Sequence, residues 1–321
     1  MTGSKIRVAV IGAGAFGRQH ARVLHELPPA ELVAVADIDL ARAHSVAAPL
    51  GVPALADYRE LFGRIEAATL AVPTMLHAEI GADLLAHGID LLVEKPIAAD
   101  LASADRLLAA ARQHCRILQV GHLERFNPAV EAASAMARLP LFFEVHRMSV
   151  FTPRSLDIDV VLDLMIHDID IVLSLVESKI QQIHAVGLPV LSAQADIAHV
   201  RLQFENGCVA NLTASRVSTE RIRKLRFFQP RQYISVDYSR QDGAIFSVDA
   251  ANRIGFQPLV VERAEPLARE MAAFLSAVQK RTVPRVTGDA GRNALAVAIK
   301  IREEMDAHAR VVAATIAGQP V

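Results

Sequence analysis

The sequence is short of cysteine and carries almost no net charge. Its only two cysteines, Cys115 and Cys208, are far apart and belong to no CxxC motif or Cys/His cluster. This usage favours a reducing compartment and argues against a structural metal. Lysine plus arginine (34) nearly cancels aspartate plus glutamate (35). We therefore expect no general attraction for nucleic acid or an acidic membrane surface, so any anionic ligand must be held locally.

Long apolar runs are also missing. The first apolar segment, Ile6 to Ile11, is long enough only for a strand, whereas a membrane-spanning helix needs about 18 or more apolar residues. We therefore expect no membrane span, no secretory signal peptide and a cytoplasmic location. What is present is a 321-residue chain that is 52% hydrophobic, which is long enough for two domains with substantial cores.

A glycine-rich turn follows the first predicted strand and precedes a segment of helical composition, residues 19–27. The turn has the GxGxxG pattern and consists of Gly12, Ala13, Gly14, Ala15, Phe16 and Gly17. Gly12 permits the tight turn, Gly14 lets a pyrophosphate approach the backbone, and Gly17 allows close helix–sheet packing. The helix N-terminus adds unpaired N–H donors. The pattern predicts a dinucleotide site.

A second predicted strand ends at Asp37, twenty residues after Gly17. At this distance a carboxylate is able to accept hydrogen bonds from both ribose hydroxyls of an adenosine. No arginine stands directly beside Asp37 to bind a 2′-phosphate, although Arg42 is five residues further on. The sequence therefore favours NAD over NADP as the cofactor.

Strands and helices continue to alternate up to residue 121. We predict strands at 69–72, 89–93 and 117–120, with helices at 76–86 and 101–113, and hence a doubly wound parallel sheet forming a Rossmann domain over residues 1–121. Ligands bind at the carboxyl ends of such strands. The cofactor contacts predicted there are Val72, Pro73, Thr74, His77, Glu94, Lys95 and His122. Alternatively, Thr74 only caps the next helix and His122 is a loop histidine.

Lys95 is the most prominent of these residues. It follows a continuous apolar run and precedes Pro96, which removes a backbone donor and ends the strand, so the Lys95 ammonium is presented at the ligand edge. The alternative is that Glu94 and Lys95 form an ordinary solvated ion pair.

The pattern changes after residue 121. We predict a helix over 158–176 in which Asp163, His167 and Asp170 share one face, with His167 either an acid/base residue or a satisfied core histidine. Predicted strands follow, at 181–186, 195–204, 208–215, 222–228, 233–237 and 244–248. They indicate an α+β domain over residues 122–321 with a large, mostly antiparallel open sheet, whose broad face is available for self-association as a homodimer or homotetramer.

An arginine-rich run, residues 216–231, favours a solvated strand face or a local anion site over nucleic-acid binding.

Together these motifs resemble the Gfo/Idh/MocA family of oxidoreductases. The resemblance rests on GAGAFG, AVPTMLHAEI, VEKP, GHLERFNP and DLMIHDID. It implies a Rossmann domain followed by an open-sheet domain, and hydride transfer between a nicotinamide and a sugar or cyclitol carbon without a metal. It further implies that Lys95, Asp163 and His167 are catalytic, with His167 as the acid/base, although the residues themselves leave open whether Lys95 or His167 is the base.

Within the family, the lead-in to Asp163 and the GHLERFNP segment resemble the subgroup that oxidises UDP-N-acetylglucosamine at C3. The predicted substrate contacts are Lys95, Glu124, Arg125, Asn127, Arg154, Asp163 and His167, with Arg216 or Arg221 as a further candidate. Two other functions are considered: a dehydrogenase of a free sugar, inositol or other polyol, and a catalytically silent ligand sensor. The presence of both Lys95 and His167 disfavours the sensor.

Overall fold

The structure is a computed structural model that describes residues 4–152 and 158–317, without the side chains of residues 315–317. It divides into two compact units. The first comprises residues up to Phe126 together with Ala264–Leu295, and the second comprises Asn127–Arg263 and residues from Ala296 onward. In the described residues, no helix is both long and apolar enough to cross a membrane.

The first unit is built on six parallel strands. They are β1 (Ile6–Ile11), β2 (Ala30–Ala36), β3 (Ala54–Leu55), β4 (Ala67–Leu70), β5 (Asp90–Glu94) and β6 (Leu118–Gly121). Four helices connect them: α1 (Ala15–Glu26), α2 (Leu40–Ala47), α3 (His77–Ala86) and α4 (Leu101–Gln113). The spatial order β3-β2-β1-β4-β5-β6 reverses beside β1, and ligands bind at such a reversal. The predicted doubly wound parallel sheet is confirmed.

Local boundaries differ from the prediction in places. The strand predicted at 69–72 lies at 67–70, and neither α2 nor the two-residue β3 was predicted. Helix α2 begins where the Asp39 carboxylate accepts a hydrogen bond from the Arg42 N–H at 3.1 Å. This cap stabilises a helix of only eight residues.

The second unit contains an eight-stranded sheet. Its elements are α5 (Pro128–Ser134), β7 (Phe142–Met148), α6 (Ile166–Val176), β8 (Ile180–Leu188), β9 (Ile197–Phe204), β10 (Val209–Ser215), β11 (Ile222–Gln229), β12 (Gln232–Asp237), β13 (Asp242–Val248) and β14 (Ile254–Pro258). The order is β14-β13-β12-β11-β7-β10-β9-β8, with every pair antiparallel except β7 and β10. The predicted mostly antiparallel sheet is therefore confirmed.

One face of this sheet is buried and the other is more open, as the alternating burial along β7 shows. On the buried face, Arg147 of β7 makes a bidentate pair with Asp168 of α6, at 2.7 and 2.8 Å. Both side chains are only 2% exposed. The Arg147 guanidinium also lies 5.4 Å from the centre of the Tyr238 ring. A buried pair of this kind fixes α6 on the sheet, since removing either partner would strand a charge.

Two helices complete the chain, α7 (Pro266–Lys280) and α8 (Gly288–Ala317). Helix α7 belongs to the first unit, because Leu267, Met271 and Phe274 join the same core as Val8 and Val10. The prediction that residues 264–295 belong to the second domain is therefore corrected, because these residues pack with the first unit. The apolar face of α7 gave no indication of which sheet it covers.

Candidate active site

The glycine turn of the first unit has the geometry that its motif predicts. Gly12 has a φ of +96°, and a Cβ at this position would lie 2.4 Å from the Ala71 carbonyl oxygen. A Cβ on Gly17 would lie 1.7 Å from the Gly12 oxygen. By contrast, a Cβ on Gly14 would meet no atom within 4 Å among the described residues. Packing therefore explains Gly12 and Gly17, whereas no described neighbour requires a glycine at position 14, where the motif predicts the close approach of a pyrophosphate.

The start of α1 suits an anionic group. Among the residues that the structure describes, no side chain caps this helix and none in its first turn is acidic. Its first N–H groups and the positive end of its dipole therefore remain available to a pyrophosphate.

Asp37 ends β2 beside this turn. One carboxylate oxygen accepts from the Ala13 N–H at 2.7 Å, and the other from the Asp39 N–H at 2.9 Å. Nη1 of Arg42 lies 3.9 Å from the same carboxylate. These contacts fix the carboxylate at the mouth of the glycine turn, where each oxygen has a second lone pair for a ribose hydroxyl.

A cavity of about 730 Å³ opens between the glycine turn and the ends of β2 and β4. The predicted residues in its lining are Gly12, Gly14, Ala15, Phe16, Asp37, Val72 and Pro73. Sequence reasoning missed Ile38, Ala56, Asp57, Tyr58, Arg59, Leu76 and Ile80, which also line it. They come from short segments after β2, around β3 and near the start of α3 that have no recognised motif. Only proximity to Asp37 or Thr74 in sequence could have pointed to some of them.

His77 is enclosed by backbone carbonyls, and Thr74 does not cap a helix. His77 is 1% exposed, and its ring nitrogens lie 3.0 Å from the carbonyl oxygens of Pro96 and Val72. Burial lowers the pKa of His77 despite these two carbonyls. The ring therefore links the segments after β4 and β5 rather than facing the cofactor. Thr74 opens a 3₁₀ turn, and neither that turn nor α3 has a side-chain cap within the described chain, so the capping alternative is wrong.

Lys95 follows directly after β5, as predicted, and its peptide bond to Pro96 is cis. Its backbone N–H donates to a carboxylate oxygen of Glu94 at 3.2 Å. The other Glu94 oxygen lies 3.0 Å from Nε2 of the buried His20. Glu94, predicted to touch the cofactor, is thus held by protein partners immediately beneath Lys95.

The turn after β6 carries further predicted residues. His122 is 1% exposed and Glu124 is 7% exposed, and both lie in or next to the 3₁₀ turn Leu123–Phe126. Arg125 is partly exposed on the same turn. The turn therefore encloses the Arg125 side chain only in part, whereas His122 and Glu124 are largely enclosed.

The second unit holds Asp163 and His167. Asp163 lies in a π turn, Val161–Met165, and His167 is the second residue of α6. Both are partly exposed. The π turn begins where Asp159 accepts from the N–H groups of Val161 and Leu162, at 2.9 and 3.1 Å. Such π turns occur often at functional sites, because they redirect side chains within a helix.

Asp170, predicted to share a helical face with these two residues, is 2% exposed, and Asp168 on the same helix is 1% exposed. His167 and Asp170 lie three residues apart in the regular helix α6, whereas Asp163 lies in the π turn before it. The predicted α-helical spacing therefore applies from His167 to Asp170, and the π turn interrupts it between Asp163 and His167.

The remaining predicted substrate contacts differ in their surroundings. Asn127 caps α5 through its oxygen, while its amide nitrogen donates to the Tyr238 carbonyl at 3.1 Å, which is a structural role. Arg216 is 5% exposed and its Nε lies 3.5 Å from Asp196, so it too is structural, whereas Arg221 is exposed. Arg154 lies outside the described residues. Lys95 belongs to the first unit and His167 to the second.

Family models match both parts of the chain. Residues 6–122 match the oxidoreductase family with an NAD-binding Rossmann fold, GFO_IDH_MocA. Residues 130–234 match the GFO/IDH/MocA C-terminal domain. The geometry of the glycine turn, α1 and Asp37 fits the dinucleotide that the first of these models describes.

Individual relatives agree with the family models. The chain is 34% identical to UDP-N-acetylglucosamine 3-dehydrogenase of Acidithiobacillus ferrooxidans over 94% of this chain and 98% of the relative. A solved structure of that relative superposes with a TM-score of 0.90, with the same coverage of both chains and 33% identity. Inositol 2-dehydrogenase of Rubrobacter xylanophilus is 33% identical over 67% of this chain and 66% of its own. Levoglucosan dehydrogenase in complex with NADH shares the fold, with a TM-score of 0.86 at 20% identity and coverage of 94% and 97%.

Proposed function

Because the chain belongs to the GFO/IDH/MocA family of NAD-binding oxidoreductases, we propose that it oxidises the C3 hydroxyl of UDP-N-acetylglucosamine. The observation that carries this proposal is the similarity to a UDP-N-acetylglucosamine 3-dehydrogenase over nearly the full length of both chains. The similarity to an inositol 2-dehydrogenase covers about two thirds of each. The 3-keto product would be a substrate for an aminotransferase in the formation of a diamino sugar for lipid A.

The chemistry assigns a role to each of three side chains. A secondary alcohol releases hydride only as its O–H proton is removed, so a neutral His167 acts as the base and Asp163 orients it. The Lys95 ammonium stabilises the developing alkoxide. Bound NAD supplies the hydride acceptor. The alternative within this mechanism is that Lys95, and not His167, acts as the base.

A substrate panel tests the proposal. The wild-type protein is incubated with NAD and, separately, with UDP-N-acetylglucosamine, UDP-glucose, myo-inositol and other free polyols, and the absorbance of reduced nicotinamide is followed. We expect the fastest reduction with UDP-N-acetylglucosamine. Reduction with a free polyol and none with any UDP-sugar would replace this proposal by the polyol dehydrogenase alternative.

Arg125 is expected to contribute to binding the diphosphate. With a net charge of −1 the protein offers no general attraction for two phosphates, so discrete arginines must supply it. Arg125→Ala should raise KM for UDP-N-acetylglucosamine about tenfold with a smaller change in kcat, since diphosphate binding is mostly shared by ground and transition states. Arg64→Ala, at an exposed position, serves as the control. Equal KM values for the two variants would remove Arg125 from the site.

Asp37 is expected to set the preference for NAD. Its charge repels a 2′-phosphate, so wild-type protein should bind NAD at least tenfold better than NADP, about 1.4 kcal/mol. Asp37→Asn should narrow this ratio, because Arg42 and Arg59 also line the cavity. Glu31→Gln changes an exposed carboxylate of β2 outside that lining and should leave the ratio unchanged. Titrations of both cofactors measure the ratio, and an unchanged ratio in Asp37→Asn contradicts this role.

We infer that the open face of the second sheet mediates self-association of the chain. An aromatic ladder crosses five adjacent strands there, with ring centres 4.7 to 5.6 Å apart. Its members are Phe142, Phe228, Tyr233, Phe246 and Phe256. Phe246 is 37% exposed and Phe256 is 62% exposed. A contiguous exposed apolar strip of this kind is typical of a protein–protein interface.

A charge placed on the ladder should weaken that association. Phe256→Asp is expected to shift the protein from dimer or tetramer toward monomer in light scattering coupled to size-exclusion chromatography, since an unpaired carboxylate resists burial at an interface. Val283→Asp, at a position that is 81% exposed in the first unit, is the control. A wild-type monomer, or equal masses for both variants, would refute the inference.

A further inference from the structure

Three ionisable side chains of the first unit are buried at the end of β5, beneath Lys95. His20 and Glu270 are both 0% exposed, and the Glu94 side chain is 12% exposed. His20 comes from α1, Glu94 from β5 and Glu270 from α7. Because an isolated buried charge is very costly, the protonation states of these three side chains must be matched to one another.

The Glu94 carboxylate has a contact on each side. One oxygen lies 3.0 Å from Nε2 of His20, and the other accepts from the Lys95 N–H at 3.2 Å. A Cβ built on Gly121, the partner of Glu94 in the β5–β6 pairing, would lie 3.2 Å from the carboxylate carbon and from both oxygens. The carboxylate is therefore held in one place by the imidazole, the Lys95 backbone and the surface of β6.

The two carboxyl groups differ in charge. Burial raises the pKa of Glu94, but the His20 contact and the charge of Lys95 outweigh it, so the pKa is lowered overall and Glu94 is ionised. Burial, and then the charge of Glu94, raises the pKa of Glu270 well above its usual range. Neither oxygen of Glu270 has a hydrogen-bond partner among the described residues. Glu270 is thus a neutral acid, so of the two carboxyl groups only Glu94 carries a negative charge.

We propose that Glu94 is a positioning residue for Lys95. Its carboxylate, held beside the lysine between the His20 ring and the Lys95 backbone N–H, favours the ammonium form of the Lys95 side chain. Electrostatic attraction is reciprocal, so the contribution of Lys95 to the ionisation of Glu94 is matched by a contribution of Glu94 to the protonation of Lys95. This inference rests on the role of Lys95 in the proposed function, where an ammonium stabilises the developing alkoxide.

The protonation of Lys95 is measured without a substrate. Full-length protein is treated briefly with acetic anhydride over a series of alkaline pH values, and acetylation of each lysine is quantified by peptide mass spectrometry. Only the neutral amine reacts. In Glu94→Gln, Lys95 should be acetylated about tenfold faster than in wild type at any pH below the titration midpoints of Lys95 in both proteins. This difference corresponds to a Lys95 midpoint that is lower by roughly one pH unit in the variant. Lys5, which is exposed, is the internal reference.

Matched variants separate a charge effect from a structural one. Glu270→Gln replaces a neutral acid by a neutral amide of the same shape and should leave the Lys95 midpoint at its wild-type value. Glu79→Gln removes an exposed carboxylate and should do the same. Glu94→Asp keeps the charge, so its midpoint should stay nearer to wild type than that of Glu94→Gln. This variant also provides the readout if the glutamine variant does not fold.

The proposal is overturned if Glu94→Gln leaves the Lys95 midpoint unchanged, if Glu94→Asp shifts it by as much as the glutamine variant or more, or if Glu270→Gln shifts it as far as Glu94→Gln. The last result would place the negative charge on Glu270. Because acetylation needs no sugar, these outcomes are independent of the substrate panel. Failure of UDP-N-acetylglucosamine to react would overturn the proposed substrate and leave the Lys95 measurement standing.

Discussion

Lys95→Ala and His167→Ala are each expected to lower kcat by two or more orders of magnitude while leaving the affinity for NAD within about threefold of wild type. Groups that act mainly in the transition state affect kcat in this way, and removal of a general base or of an alkoxide-stabilising cation has effects of roughly this size. Steady-state rates with the substrate that the panel identifies, together with a fluorescence titration of NADH, provide the two measurements.

Lys5→Ala and His44→Ala are the matched controls, because both side chains are exposed and neither lines the cavity of the first unit. They should turn over like wild type. Normal turnover of Lys95→Ala would show that Lys95 forms only an ordinary ion pair with Glu94. Normal turnover of His167→Ala would show that His167 has a structural role.

Gly17→Ala and Gly14→Ala are expected to fail in different ways. The Cβ that the first substitution adds would overlap the Gly12 carbonyl oxygen at 1.7 Å, so the turn must shift, and we expect a loss of about 3 kcal/mol or more in the free energy of unfolding. Gly14 has a φ of −70° and open space around its Cβ position. Alanine should fit there with a change in stability within about 0.5 kcal/mol.

NAD binding distinguishes the second variant. If position 14 requires glycine because a pyrophosphate approaches the backbone there, Gly14→Ala should weaken NAD binding tenfold or more in calorimetric titration. Its melting temperature should stay near that of wild type. Gly14→Ala binding NAD as tightly as wild type would show that the phosphates lie elsewhere. Equal melting temperatures for the two variants would contradict the close contact at Gly17.

The parts of the fold that followed from sequence were those encoded over short distances. The glycine turn, the strand that ends at Pro96 and the alternating strands β9 and β10 each carry their own signal within about ten residues. The roles of His77 and Arg216 did not follow, because their partners, the Pro96 carbonyl and Asp196, are about 20 residues away in the chain. No local pattern encodes such pairings.

The position of Asp163 and the unit to which α7 belongs show two further limits. The predicted spacing from Asp163 to His167 assumes a regular α-helix, and the π turn Val161–Met165 interrupts that helix. The apolar face of α7 indicates that the helix is buried, but Leu267 and Phe274 could equally have covered either sheet. Which surface accepts an apolar face is decided by tertiary packing, which periodicity does not contain.

The return of α7 to the first core also has a consequence during synthesis. A ribosome that has released residues up to Phe126 has not yet made Leu267, Met271 or Phe274, which that core needs. At about 5–20 residues per second, the intervening segment, residues 127–263, takes roughly 7–27 seconds to translate. During this interval the nascent nucleotide-binding half exposes an apolar surface, so it either waits incompletely folded or depends on a chaperone to shield it.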